Sequence, residues 1–358
     1  MKVVVVGAGY AGTFAANRIA KRMPGAEVTV INERPEFVER IRLHQQVAGT
    51  AVAATPLTSM LRAGIASRTG TVDKIGDGVV TLDDGASIDF DRLVLAVGST
   101  VRPLPGTVPV GTWEGAEQGR AALAALPAGS TVTVVGGGAT GIETATEVAE
   151  ARPDLRVRLV GTAVADCLSG RARQRVLAAL RRLGVDVVDD GVEEVAVRDG
   201  RFAGVLRLRS GREIASDLSL WAVVAGVPPL AARSGLEVDA VGRVVVDRFL
   251  RSVTDERIFA VGDCAAVPGA RFGCQTAAPQ AGAAVEALAR VAEGRAPEPY
   301  ALHYVARCVS LGGKDAVVQF THRDDTLRDR YLKGRAAVLF KKIVFVGTKV
   351  GTRKAVGA

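Results

Sequence analysis

The chain opens with KVVVVGAGYAG, residues 2 to 12, and no other stretch constrains the fold as strongly. Four consecutive valines, Val3 to Val6, read as a strand buried on both faces, as in a parallel sheet. Gly7, Gly9 and Gly12 follow with GxGxxG spacing, and a helical pattern runs from Phe14 to Lys21. Gly7 permits a tight turn, Gly9 lets the backbone approach a pyrophosphate, and Gly12 lets helix and strand pack closely. The helix N-terminus offers free N–H groups and a partial positive charge to phosphates. A second strand, Glu27 to Ile31, ends at Asn32-Glu33. Glu33 stands 26 residues after Gly7, where a carboxylate accepts hydrogen bonds from an adenosine ribose. Strand, glycines, helix, strand and acid in this order predict a dinucleotide site. A glycine-rich turn in an ordinary βαβ unit is the plainer alternative.

The pattern occurs twice. Residues 131 to 149, TVTVVGGGATGIETATEVA, repeat strand, GxGxxG (Gly136, Gly138, Gly141) and helix, with Glu143 near the helix opening, where the dipole favours a carboxylate. The next strand is Arg156 to Val160. Twenty-five residues after Gly136 stands Gly161, so the expected acid is missing. Its loss removes repulsion against a 2′-phosphate, and Arg171 or Arg173, on a helix from 171 to 182, could pair with one. The expectation is that NADPH is accepted at least as well as NADH; the plainer reading is a neutral site with solvent-facing arginines.

Each unit is followed by short strands with turns, over 71–99 and 192–221, and then by a Pro-containing exit. The run Leu93 to Val97 reads as a returning core strand that ends at Gly98. Ile258 to Gly262 reads as another, ending in Gly-Asp-Cys, which puts Asp263 at the carboxyl edge of a sheet where cofactors bind. A helix begins near Ala277 or Pro279 and points its N-terminus at the same edge. The fold class is therefore α/β: two dinucleotide-binding domains with meander insertions and a small C-terminal region. The predicted boundaries are 1–108 with 233–297, then 109–232, then 298–358.

Composition narrows the function. With 358 residues and 48% apolar content the chain can build a sizeable core, and no apolar run approaches the roughly 20 residues that span a bilayer. The chain starts on a core strand, so cytoplasmic residence is the default expectation. Cys167, Cys264, Cys274 and Cys308 show no CxxC and no metal spacing, so reduced thiols and no metal are expected. No cysteine precedes residue 167, which argues against a disulfide reductase of the usual architecture. In the same early region, Arg40, Arg42 and His44 are candidates to face cofactor phosphates or a redox ring, with His44 a candidate for direct chemistry.

The net charge of +8 is concentrated. From Thr326 onward there are nine Lys/Arg against one acid, Asp329, so this segment carries +8 and the remainder is near neutral. Such a tail suits an anionic partner or the inner face of a membrane. No aromatic platform accompanies it, so nucleic acid is not expected. Residues 336, 339, 340, 343, 347 and 350 fall on one helical face, with Lys341, Lys342 and Lys349 elsewhere. Packing of that face against the core is the simpler expectation, although the valines leave a strand reading open.

Taken together, GAGYAG with Glu33, LVLAVGS, VVGGGATGIE and IFAVGDCA resemble the two-dinucleotide-binding-domain flavoproteins. The RIRLHQQVAGT and YVARCVSLGGKDAVVQF stretches are similar to type II NADH dehydrogenases and apoptosis-inducing-factor-like quinone reductases. The resemblance implies FAD on the first unit and NAD(P)H on the second. It implies that Asp263 bonds the ribityl chain or a nearby phosphate, that Val72 meets the adenine through its backbone, and that Ala278 and Gln280 lie beside the flavin and its acceptor. The quinone-facing AQxAxQQ pattern is half kept: Ala278 and Gln280 align, while Thr276 and Ala281 replace glutamines. The expected activity is hydride transfer from NAD(P)H to FAD, then two-electron transfer to a quinone or similar small acceptor. A ferredoxin- or rubredoxin-type reductase, a biosynthetic flavoenzyme acting on a small aromatic, and a flavin redox sensor are the alternatives. The sequence leaves a homodimer open.

Overall fold

A computed structural model describes residues 1–197 and 202–356. Strand β1 (Lys2–Val6) leads through a glycine turn into α1 (Tyr10–Arg22) and returns as β2 (Glu27–Asn32). β1 lies between β2 and the strand Arg92–Leu95, parallel to both, and every valine of Val3 to Val6 is at most 3% exposed. That two-sided burial explains the unbroken valine run, because a strand with helices on both faces has no polar side. The sheet is completed by Ala66–Thr69 beyond β2 and by Ile258–Ala260 beyond Arg92–Leu95, all parallel. The chain thus leaves the first unit, builds the second and comes back to add an edge strand.

A short helix α2 (Leu43–Ala48) precedes the second unit, which repeats the first with β3 (Thr131–Val135), α3 (Ala139–Ala151) and β4 (Arg156–Val160). Here β3 lies between β4 and Leu218–Trp221 in a second five-stranded parallel sheet, whose edges are Asp186–Val188 and Val108–Pro109. Helix α4 (Gly170–Arg182) follows β4, and α5 (Ala277–Ala292) packs on α1. The two predicted meanders are antiparallel three-stranded sheets, Val72–Ile75 to Ser87–Asp89 and Val192–Val197 to Glu213–Ser216. Residues 198–201, inside the second, lie outside the described residues. Thr100–Val101 pairs antiparallel with Val224–Gly226, so the two exits run side by side between the units.

The C-terminal region begins with β5 (Ala306–Ser310) in a three-stranded antiparallel sheet and ends in α6 (Gly334–Lys354). The helix reading holds, but the expected inward face is reversed. Leu339, Ile343 and Val350 are 60%, 63% and 43% exposed, while Ala337, Lys341 and Thr352 are buried. The cause is electrostatic. Two buried carboxylates, Glu143 and Glu39, accept from the Nζ of Lys341 and Lys349 and turn those lysines inward. The apolar stripe is left facing out.

Candidate functional site

Both glycine turns have the same backbone construction. Gly7 and Gly136 hold φ of +95° and +134°, a region that side chains rarely tolerate. A Cβ added to Gly12 would stand 1.8 Å from the Gly7 carbonyl oxygen, and one added to Gly141 would stand 1.8 Å from that of Gly136. Gly9 and Gly138, by contrast, have nothing within 4 Å of a would-be Cβ. Each turn therefore combines two tightly packed glycines with an open position at the helix N-terminus, where backbone N–H groups are free to meet a ligand.

The edges of the cradles differ. In the first unit, Asn32 Oδ1 accepts from the Ala8 amide at 2.9 Å and fixes the glycine loop to the end of β2. Glu33 is exposed and pairs with Arg34 at 2.7 Å. Gly70 N donates to Asn32 O at 2.9 Å, so the chain running into Val72 passes the same edge. In the second unit, strand pairing corrects the spacing argument. Val6 lies opposite Ile31 and Val135 opposite Val160, so Gly161 matches Asn32, and Thr162 matches Glu33. A Cβ on Gly161 would lie 2.3 Å from Gly137 N, so no acid could stand there whatever the nucleotide. The position that decides charge is Thr162, which is exposed. Asp189 Oδ1 accepts from Ala163 N at 3.0 Å on one side, and Arg173 Nε donates to Val164 O at 2.8 Å on the other; Arg171 is exposed.

Between the cradles, Ser99 Oγ donates to Asp263 Oδ2 at 2.6 Å, and Gly273 N donates to Asp263 Oδ1 at 2.8 Å. Arg40 Nη1 donates to Ser99 O at 3.0 Å, and Gly98 holds a φ of +70° beside it. Arg40, Gly98 and Asp263, far apart in sequence, therefore meet. Gln280 is fully buried. Its Oε1 accepts from Gly262 N at 2.6 Å, and its Nε2 has no partner among the described residues. Ala278 is half-buried on the first turn of α5. Gln280 therefore steadies the turn that carries Asp263.

A buried charge cluster joins this region to the C-terminal helix. Glu143 accepts from Lys341 Nζ and from Ser310 N, the latter at 2.9 Å, and His44 Nδ1 lies 3.8 Å from its other oxygen. Burial alone would raise the Glu143 carboxyl, but Lys341 and then His44 outweigh it and hold the group below the usual range. Burial lowers His44 to about 4, against the pull of Glu143, so the imidazole is neutral near pH 7. Its Nε2 is buried without a partner among the described residues. Glu143 is thus engaged by the C-terminal region, not left open at the helix mouth. Arg42 belongs to a neighbouring cluster, 3.6 Å from Glu39, which also accepts from Lys349 at 2.9 Å. Lys341 was not among the expected site residues. Its only signal was a lysine interrupting an apolar helix.

The four cysteines are free thiols. Cys264 donates to Leu95 O and Val261 O, and burial pushes it up to about 11; burial does the same to Cys308. Neither supplies a thiolate near neutral pH.

With this geometry in view, the comparisons decide the family. Residues 1–287 match the model described as pyridine nucleotide-disulphide oxidoreductase. The chain belongs to that family. An NADH dehydrogenase-like protein of Mycobacterium tuberculosis is 35% identical over 298 residues, covering 74% of this chain and 73% of the relative. Rhodocoxin reductase of Rhodococcus erythropolis is 30% identical over 289 residues, 75% of this chain and 66% of the relative. The solved sulfide:quinone oxidoreductase of Aquifex aeolicus superposes with a TM-score of 0.80 at 20% identity, over 99% of this chain and 92% of that one, which speaks to fold. Family members of this kind use FAD and NAD(P)H, and this chain is an oxidoreductase with those cofactors. The residues fit: two open glycine cradles at helix N-termini are what two bound dinucleotides would fill. No helix among the described residues is long and apolar enough to cross a membrane.

Proposed function

We propose that the chain is an FAD-dependent NAD(P)H dehydrogenase whose second substrate is a quinone or quinone-like apolar acceptor. The observation that carries this reading is the double role of α6. Its inner side delivers Lys341 to Glu143 between the two units, and its outer side presents the exposed stripe of Leu339, Ile343 and Val350. One element thus links the redox region to an apolar surface suited to a lipophilic acceptor. High-pKa thiols argue in the same direction, because no cysteine is poised to relay electrons.

In this reading Gly7, Gly9 and Gly12 hold the FAD pyrophosphate, Glu33 its ribose and the backbone at Val72 its adenine. Arg40, Gly98, Asp263 and Ala278 line the flavin end, with Gln280 as a positioning residue. Gly136, Gly138 and Gly141 hold NAD(P)H. FAD supplies the hydride-accepting and electron-releasing chemistry. The protein orients it: Asp263, fixed by Ser99 and Gly273, presents an immobilised acceptor, and the Glu143–Lys341 pair places a lysine ammonium in a buried setting with neutral His44 beside it. Peripheral contact of the basic C-terminus with an anionic membrane accompanies an apolar acceptor naturally.

The test is steady-state oxidation of NADH and NADPH by FAD-loaded protein with and without a soluble quinone. Quinone-dependent turnover is expected. Flavin bleaching by NAD(P)H without quinone-dependent turnover would instead favour a protein acceptor, the reading that the rhodocoxin reductase relative supports. Absence of bleaching would overturn the dehydrogenase reading itself.

A further inference from the structure

Two arginines from different parts of the chain share one carboxylate. Asp325 Oδ2 accepts from Arg271 Nε at 2.8 Å and from Arg307 Nη2 at 2.7 Å, and Asp325 Oδ1 accepts from Arg307 Nε at 3.3 Å. Arg307 stands on β5, and Asp325 in the hairpin between Ala316–Thr321 and Leu327–Lys333. Arg271 lies in the first unit, between Asp263 and α5. The Asp325 side chain is only 13% exposed. Burial would raise its carboxyl, but the hydrogen bonds from Arg307 and Arg271 outweigh it and hold the group below the usual range. Exposed ion pairs contribute little, but a sheltered, bidentate pair shared by a second cation is a stiff connection. Asp325 also holds a left-handed φ of +68°, a costly conformation that its surroundings must maintain.

Each arginine leads to a different cradle. Arg307 Nη1 donates to Cys167 O at 2.6 Å, in the loop between β4 and α4. That loop crosses the second glycine turn. Ala165 N donates to Gly137 O at 3.0 Å, and a Cβ on Gly137 would stand 3.0 Å from Thr162 O. Ala163 and Ala165 hold φ of +54° and +58°, so the loop needs outside support as Asp325 does. Ser169 Oγ adds a bond at 2.6 Å to Oε1 of Gln319, a buried residue of the C-terminal sheet. Arg271 leads the other way. Its amide donates to Tyr304 Oη at 2.9 Å, and its guanidinium lies 4.7 Å from the centre of that ring. Two residues on, Gly273 N donates to Asp263 Oδ1 at 2.8 Å.

We propose that Asp325 is a positioning residue for hydride transfer: by gripping Arg307 and Arg271 together, it fixes the loop over the NAD(P)H cradle at a set span from the Asp263 turn at the flavin end. Hydride transfer moves two electrons and one proton together from NAD(P)H to FAD, and Asp325 exchanges none of them. It acts through the two arginines. Reacting atoms must stand about 3–3.5 Å apart, and a displacement of about 1 Å costs on the order of 100-fold in rate. A carboxylate that ties one loop from each cradle is placed to hold such a span. Its loss does more than remove bonds. Both guanidinium groups sit on the same oxygen, so two cations would be left facing each other and would push the loops apart. The proposal rests on the assignment of FAD and NAD(P)H to the two cradles and is independent of the acceptor.

The experiment is stopped-flow reduction of full-length, FAD-loaded protein by NADH, with no acceptor present. The variant is Asp325→Asn, whose side chain tolerates the same left-handed φ. The limiting rate at saturating NADH should fall by at least roughly tenfold, while the Kd for NADH and the FAD content stay within about twofold. Arg271→Gln should lower the rate likewise, and Arg271→Lys, which returns a cation to Asp325, should recover most of the loss. Amide exchange without NADH gives a second readout. Residues 162–169 and 270–273 should exchange faster together in Asp325→Asn, although neither loop carries the substitution. A limiting rate that does not change, even with a lowered Tm, would overturn the proposal and leave the bridge a structural clamp. A loss confined to Kd, or faster exchange in one loop alone, would overturn it as well. Absence of flavin reduction in the wild type would instead sink the dehydrogenase reading, and the exchange result would then decide by itself whether Asp325 couples the loops.

Discussion

The two dinucleotide units share one backbone device and differ in the side chains around it. Gly12 and Gly141 press equally close on the carbonyls of Gly7 and Gly136. Yet the edge of the first cradle is Asn32-Glu33, and that of the second is Gly161-Thr162. The helices diverge as well. Seven residues after the first glycine stands Phe14 in α1, deep in an apolar core, and Glu143 in α3, buried against Lys341. The difference teaches that the turn geometry tolerates no exchange, while the strand edge and the helix interior are free to acquire separate duties.

The sharpest way to break this parallel is to clash each cradle in turn. Gly12→Ala drives a methyl into backbone that cannot yield, and the expected product is a protein purified without flavin absorbance. Gly141→Ala should keep its flavin yet lose reduction by NAD(P)H in stopped flow. If both variants lost flavin equally, the units would not hold separate nucleotides.

The contrast between Phe14 and Glu143 predicts the next largest effect. Lys341→Met leaves Glu143 buried without its partner and should cost about 3–5 kcal/mol in urea unfolding. Adding Glu143→Leu to that variant should recover most of the loss, because an apolar side chain then stands in α3 as Phe14 does in α1. An unrecovered double variant would show that the pair is packed for more than charge balance.

The same contrast has a pH signature. His44 protonates near 6.5 in the unfolded chain and near 4 in the folded one, so unfolding takes up a proton between those values. Stability is therefore present in full above pH 6.5 and lost as pH falls toward 4, by on the order of 3 kcal/mol. His44→Gln should flatten that part of a stability-against-pH curve, leaving the acid loss that Glu143 contributes below it. Equal slopes in the two proteins would show that His44 is not held neutral.

The smallest effect concerns the edges. Placing an acid at the true counterpart of Glu33, Thr162→Glu, should shift preference from NADPH toward NADH by roughly tenfold in kcat/KM. Gly161→Ala should weaken both nucleotides together, because it moves the glycine loop instead of the charge.

These comparisons also show what was legible beforehand. The valine run of β1, both glycine triplets, the returning strand before Asp263 and the start of α5 were readable because they depend on neighbours in the chain. The acid's counterpart was placed one residue early, at an offset of 25; the offset of 26 that separates Glu33 from Gly7 leads from Gly136 to Thr162, in agreement with the pairing of Val135 with Val160. The facing of α6 was unreadable for a stronger reason. Its lysines turn in toward carboxylates 198 and 310 residues upstream, and helical periodicity carries no information about partners so distant. Once those partners are in place, the stripe on the opposite side must face outward.

Through Thr352 and Lys341, α6 is fastened to α1 of the first unit and to α3 of the second. The C-terminal helix is thus the element that ties the two units together. Before it docks, Asn17 lacks its bond to Thr352 and Glu143 lacks Lys341. A nick near residue 333 should accordingly raise amide exchange in α1 and α3 together, though they belong to different sheets, and turn one cooperative melt into two.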